Sequence, residues 1–142
     1  MTNRNIFATL ASLALVLTAQ GASAGDTLHA ALDGDAQRLG ADAIADRFVG
    51  QTGTWVSVDG SRKIDIFYGE DNALSAQPVG GDGQMTGFYG ITDTDRMCIS
   101  WDGGGDRLRC LDVVERDGTV AKYNADGSLN GTYDGFRDGK SF

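Results

Sequence analysis

The chain has 142 residues, 12 Lys+Arg against 20 Asp+Glu and a formal net charge of −8, with 21 glycines, one proline, one histidine and two cysteines. A chain of that length makes one domain, and its negative charge argues against a protein that reads nucleic-acid phosphates. One histidine and two cysteines are too few for a Cys/His zinc site.

Residues 1–24 read as a secretory signal peptide. Arg4 supplies a positive start, Ile6 to Ala19 form an apolar stretch of 14 residues, and Ala22-Ser23-Ala24 is an A-x-A cleavage site. The apolar stretch is shorter than the ~20 residues a spanning helix needs. Gly25 and Asp26 follow the cleavage site where a lipoprotein would have cysteine. The expectation is a periplasmic or secreted protein with no membrane anchor after cleavage. Removing the leader leaves 118 of the 142 residues and a charge of −9, since Arg4 is the one charged residue lost. That is long enough to bury a core.

Residues 25–38 read as a flexible leader, and 39–142 as a single β-rich domain opened by a helix. Leu39, Ala43, Ile44 and Phe48 recur at helical spacing within Asp35–Val49, and Gly50 stands where a C′ glycine would. Beyond it the residues punctuate differently. Eight Asp-Gly dipeptides occur at 33–34, 59–60, 82–83, 102–103, 117–118, 126–127, 134–135 and 138–139. Asp-Gly between β-formers signals a tight hairpin, because glycine tolerates the positive φ such turns demand. Of the 20 acids 18 are Asp, so the acidity reads first as turn chemistry and only second as a charged surface.

Between the turns lie seven β-forming runs: Thr54–Val58, Lys63–Tyr68, Met85–Ile91, Arg96–Trp101, Arg107–Val114, Thr119–Asn124 and Leu129–Tyr133, with a weaker one at Leu74–Gln77. Short strands with turns at this beat predict a mainly β fold, a small antiparallel barrel or sandwich of about seven or eight strands with one short N-terminal helix. In the first hairpin Trp55 falls opposite Ile64 or Ile66. Either register places all three on one face, in the core.

Cys98 and Cys110 are centred on position 104, inside Asp102-Gly103-Gly104-Gly105-Asp106. A hairpin turning on those glycines sets the cysteines opposite each other, and an oxidising compartment favours a Cys98–Cys110 disulfide. The same register sets Trp101 opposite Arg107 and Ile99 opposite Arg109. Trp101, Arg107 and Arg109 beside a glycine tip are therefore a candidate binding patch, with a cation–π contact of arginine on indole.

No catalytic residues are assigned. His29 is the only histidine and sits in the leader, and no G-x-S-x-G, H-E-x-x-H or phosphate-loop pattern occurs. Asp93-Thr94-Asp95 and Asn124-Ala125-Asp126-Gly127 are fragments of a calcium loop that turn formation explains equally, so neither a metal nor a cofactor is read from the residues.

The order of Phe48-Val49-Gly50, Gly53-Thr54-Trp55, the cysteine pair around a loop, Tyr123-Asn124-Ala125-Asp126-Gly127 and Gly131 resembles a family of small exported proteobacterial β-rich domains of unknown function. That resemblance implies a compact β-rich fold in the cell envelope. A looser likeness is to the periplasmic lysozyme inhibitors, small disulfide-bearing β-barrels. It implies a protein that inhibits a cationic wall hydrolase, which an acidic barrel would suit.

Three functions therefore compete. The leading one is a non-catalytic envelope protein that binds a protein partner or a small ligand. The others are an inhibitor of a cationic cell-wall hydrolase and a small glycan hydrolase working with carboxylates alone. A cavity lined by Trp55, Phe67, Tyr68, Phe88 or Tyr123 would point to a lipocalin-like ligand binder, and a filled interior to a protein partner.

Overall fold

A computed structural model describes residues 27–105 and 107–142. The signal-peptide reading of 1–24 lies outside these residues, and no described helix is long and apolar enough to cross a membrane. Two short helices and nine strands follow in order: α1 (Leu28–Asp33), β1 (Gln37–Arg38), α2 (Ala41–Phe48), β2 (Gln51–Ser57), β3 (Lys63–Tyr68), β4 (Ala73–Pro78), β5 (Met85–Ile91), β6 (Arg96–Trp101), β7 (Arg109–Arg116), β8 (Thr119–Tyr123) and β9 (Leu129–Asp138). Each strand from β2 to β9 pairs antiparallel with its neighbour in sequence, and β9 returns to pair with β2. The result is an eight-stranded up-and-down barrel with β1 added beside β7. Barrel or sandwich is thereby resolved in favour of the barrel, and closure pairs each of β2–β9 with a neighbour on both sides, apart from the end of β7 beyond β6, which β1 covers.

Period-two alternation divides each strand between the two faces. Ile64, Ile66 and Tyr68 of β3, Leu74 and Ala76 of β4, Met97 and Ile99 of β6, and Leu111 and Val113 of β7 belong to the interior. Trp55 pairs with Ile64 and packs against that cluster, as the hairpin reading required. Five of the Asp-Gly dipeptides occupy hairpin connections. At the tightest, Asp117 and Gly118 both have positive φ (50° and 79°) between paired Arg116 and Thr119, the geometry of a two-residue primed turn.

The β2–β9 seam is built on close approach. A Cβ at Gly53 would stand 2.8 Å from the Tyr133 ring, and one at Gly131 would stand 2.3 Å from Trp55 Nε1. Glycine on one strand thus makes room for an aromatic ring on the next, and the ring covers the gap. Two connections do without Asp-Gly. Asn72 and Asp95 supply the positive φ in the β3–β4 and β5–β6 turns.

The predicted helix over Asp35–Val49 is shorter in the structure, Ala41–Phe48. Gln37 and Arg38 instead pair with Glu115 and Val114 of β7, along the part of that edge that β6 leaves free. Gly40 breaks the run, since glycine costs a helix interior about 1 kcal/mol. Asp95 Oδ1 then accepts a 2.7 Å bond from Ala41 N–H, a cap supplied from the β5–β6 turn. Gly50 takes φ +76° after the helix, as a C′ glycine should. Ile44 and Phe48 are fully buried and close one end of the barrel, while Ala43 is exposed.

The described part of the expected flexible leader carries α1 and β1, which the sequence reading did not include. Thr27 caps α1 through Oγ1, and Ala31 packs with Ala36, Val114 and Tyr123 on the outside of the barrel. Arg38 and Arg96 both pair with Asp112, tying β1 and β6 to β7.

Cys98 and Cys110 are register partners and form a disulfide, with Cα atoms 3.9 Å apart. The bond lies on the outer face and clamps β6 to β7 at the base of the glycine loop. Cross-linking a loop of this size stabilises by roughly 3 kcal/mol on the chain-entropy argument. Reduction, or Cys98→Ser with Cys110→Ser, should lower Tm by on the order of ten degrees with the far-ultraviolet spectrum of the barrel retained below it. An unchanged Tm in a thermal melt would show that the staple contributes nothing.

Candidate functional site: the open half of the barrel

The interior is filled at one end and hollow at the other. At the filled end Phe48 enters from α2 and meets Tyr68, Tyr133 and Phe136 edge to face, with ring centroids 4.9, 5.3 and 5.1 Å away. Tyr89 continues the cluster against Tyr68 at 5.3 Å and donates its hydroxyl to Gly69 O at 2.8 Å. Edge-to-face pairs of this kind add about 0.5–1.5 kcal/mol each beyond their burial.

Lys122 stands at the boundary. It faces inward from β8, is 1 % exposed, and donates from Nζ to Tyr68 Oη at 2.7 Å. Tyr68 and Tyr133 hydroxyls share a further bond of 2.5 Å. The Nζ lies 5.0–5.1 Å from the centres of the Phe48, Tyr68 and Tyr133 rings. No carboxylate pairs with it among the described residues. Burial pushes its ammonium well below the usual lysine range, and burial likewise raises Tyr68 and Tyr133. The three ring faces offset part of the desolvation cost that a lone buried cation would otherwise carry.

On the other side of Lys122 and Tyr133 lies a cavity of about 360 Å³, at the lower end of the ~300–1,000 Å³ typical of ligand pockets. Ile64, Ile66, Ile99 and Leu111 form its apolar wall, and Trp55, Trp101 and Met85 ring it nearer the mouth. Arg62, Arg107, Arg109 and the backbone at Gly104 and Gly105 complete the rim. Trp101, Arg107 and Arg109, singled out from the sequence, all line this one cavity. Ile99 pairs with Arg109 as expected, but the ladder stops there, before Trp101 and Arg107. The cation–π contact that forms is a different one, Arg62 over Trp55 at 5.7 Å.

Of the five aromatics whose presence in a cavity would point to a ligand binder, Trp55 alone lines this one. Tyr68 is buried in the filled half. Phe88 is 61 % exposed, Phe67 alternates outward between Ile66 and Tyr68, and Tyr123 packs under α1 outside the barrel. Sequence reading missed Lys122, Arg62 and Met85. Lys122 had a signal available, because it shares the parity of the apolar Val120 in a short strand.

The arginines divide into two sets. Arg38, Arg47, Arg96 and Arg137 pair with carboxylates, and Arg116 donates to Ala31 O. Arg62, Arg107 and Arg109 have no ion-pair partner among the described residues, and the described cavity lining contains no acid. Three carboxylates near the same end accept bonds from neighbouring hydroxyls and amides. Asp59 accepts from Ser57 Oγ, Ser61 N–H and Ser61 Oγ, which hold its carboxyl down at about 2. Asp126 accepts from Ser128 twice and Asp102 from Thr86. His29 is exposed on α1 beside Asp33, outside the barrel.

Comparisons with protein-family models, with curated proteins and with solved structures found no match to this chain.

The Lys122 cage predicts a definite pH dependence. The unfolded chain holds the lysine proton up to pH ~10.4 while the folded chain releases it earlier, so stability rises with pH through that window. The raised tyrosines act oppositely, removing stability once pH exceeds about 10, where the unfolded phenols ionise first. Lys122→Met should be more stable than wild type at pH 7, and the gap should narrow by up to about 1.4 kcal/mol per pH unit toward pH 9.5. Urea denaturation of both proteins across that range checks it, and parallel curves would exclude a depressed lysine.

Proposed function

We propose that the protein is a non-catalytic exported binding protein that holds a small ligand in the open half of its barrel. The observation that carries this reading is the division of the interior: α2 seals one end, and the other keeps an apolar cavity under a polar rim. An eight-stranded barrel has an interior just wide enough to be filled by side chains or to hold one small ligand. Here it does one at each end. A preformed apolar hollow with a few polar groups at its edge is the usual form of a small-molecule site. The lining offers tryptophan, aliphatic and arginine side chains, and no pair of carboxylates among the described residues for a hydrolytic reaction. That favours binding over carboxylate-only glycan hydrolysis.

The cavity also carries its own reporter. The chain has two tryptophans, and both Trp55 and Trp101 line the hollow. An uncharged apolar probe, N-phenyl-1-naphthylamine, should therefore quench tryptophan emission saturably at one probe per chain. Leu111→Phe, which fills the hollow from its wall, should weaken that binding about tenfold while the protein stays folded by circular dichroism. Absence of any tryptophan response up to the solubility of the probe would overturn the reading.

A further inference from the structure

If the barrel is a ligand cavity, as proposed above, its charge pattern names the class of ligand. We propose that the cavity takes an amphipathic anion, with an oxyanion head held by Arg62, Arg107 and Arg109 at the mouth and one apolar body lying in the hollow. The inference starts from an inventory. The chain carries 20 acids against 12 bases, so a basic side chain set down at random finds an acid partner easily. Four arginines do so, and a fifth is held by a backbone carbonyl. The three described arginines with neither kind of partner are the three on the rim of one cavity. The carboxylates of Asp59, Asp102 and Asp126 at that same end accept bonds from neighbouring hydroxyls and amides instead of neutralising the rim.

Guanidinium groups present paired donors that match the two oxygens of a carboxylate or phosphate. The wall below them is aliphatic, and the described lining holds no acid that would repel the head. A neutral apolar ligand would fill the hollow and leave the arginines without partners. A polar anion with no apolar body would pair the arginines and leave the wall wet. One molecule with both parts satisfies both surfaces. The volume of about 360 Å³ limits the body to a medium-length acyl chain or a small ring system.

The experiment displaces bound N-phenyl-1-naphthylamine with three ligands that share one tail: decanol, decanoate and decyl phosphate. At least one anion should displace the probe at about tenfold lower concentration than decanol, and the better of the two identifies the head. That advantage should shrink at high salt and vanish in the double variant Arg107→Gln, Arg109→Gln, whose affinity for decanol stays unchanged. Arg62→Gln is measured separately because Arg62 also covers Trp55. Equal displacement by all three ligands, or an anion preference that survives the double variant, overturns the anion inference and leaves the cavity reading standing. Failure of the probe itself to bind overturns both.

Discussion

Closure of the sheet between β2 and β9 is the constraint on which everything else rests, because it joins segments as far apart as Gln51 and Asp138. Contacts that distant in sequence form only after most of the chain is ordered, and loop-closure entropy opposes them. The seam compensates with shape. Gly53 and Gly131 let Tyr133, Phe136 and Trp55 lie flat against the neighbouring backbone, so one set of contacts both closes the barrel and seats its aromatics. Outside the ladder, Thr52 accepts from Ser141 N–H and donates to Gly139 O, which binds the end of the chain over the seam. One of these rings, Tyr133, then joins Phe48 and Tyr68 in the cage around Lys122.

That cage explains why the barrel is half filled. A lysine pointing into a barrel must either reach solvent or find partners, since a bare buried ammonium is expensive. Lys122 turns its amine toward the Tyr68 hydroxyl and the Phe48, Tyr68 and Tyr133 rings, and its aliphatic stem and Tyr133 become the floor of the hollow. The helix that delivers Phe48 is fixed at both ends, by Asp95 at Ala41 and by the Arg47–Glu115 pair in its last turn. Plug, cage and floor are thus one unit, and the space beyond them is left to the rim residues.

Much of this was legible in the residues. Local turn chemistry located the hairpins, and alternation located β3, β5 and β6 to the residue. The symmetry of Cys98 and Cys110 about position 104 set the β6–β7 register and drew Trp101, Arg107 and Arg109 together. What failed did so for physical reasons. Asp134-Gly135 looks like a turn but lies inside β9, where the register against β2 shifts, so the strand runs on to Asp138 instead of stopping at Tyr133. Gln37 and Arg38 have no strand pattern of their own and are extended only because β7 offers an edge. The five aromatics named as the mark of a ligand cavity were chosen by type, whereas the barrel sorts them by parity, sending Phe88 out and Trp55 in.

The acidity that dominates the composition acquires a narrower meaning from the same sorting. Asp59, Asp71 and Asp126 each bond to their own turns, so their charge is a consequence of the residue that shapes the bend. Four other carboxylates, Asp65, Asp112, Glu115 and Asp134, are bound to basic side chains that tie elements together. The basic residues are few, and Arg38, Arg47, Lys63, Arg96 and Arg137 are thereby committed to holding the fold. Rim arginines left outside that network stand beside a low-dielectric hollow, where a fixed charge acts more strongly than on an open surface. A protein that is negative overall can in this way present one confined positive rim, and the anionic head proposed for its ligand rests on that local geometry, against the sign of the whole.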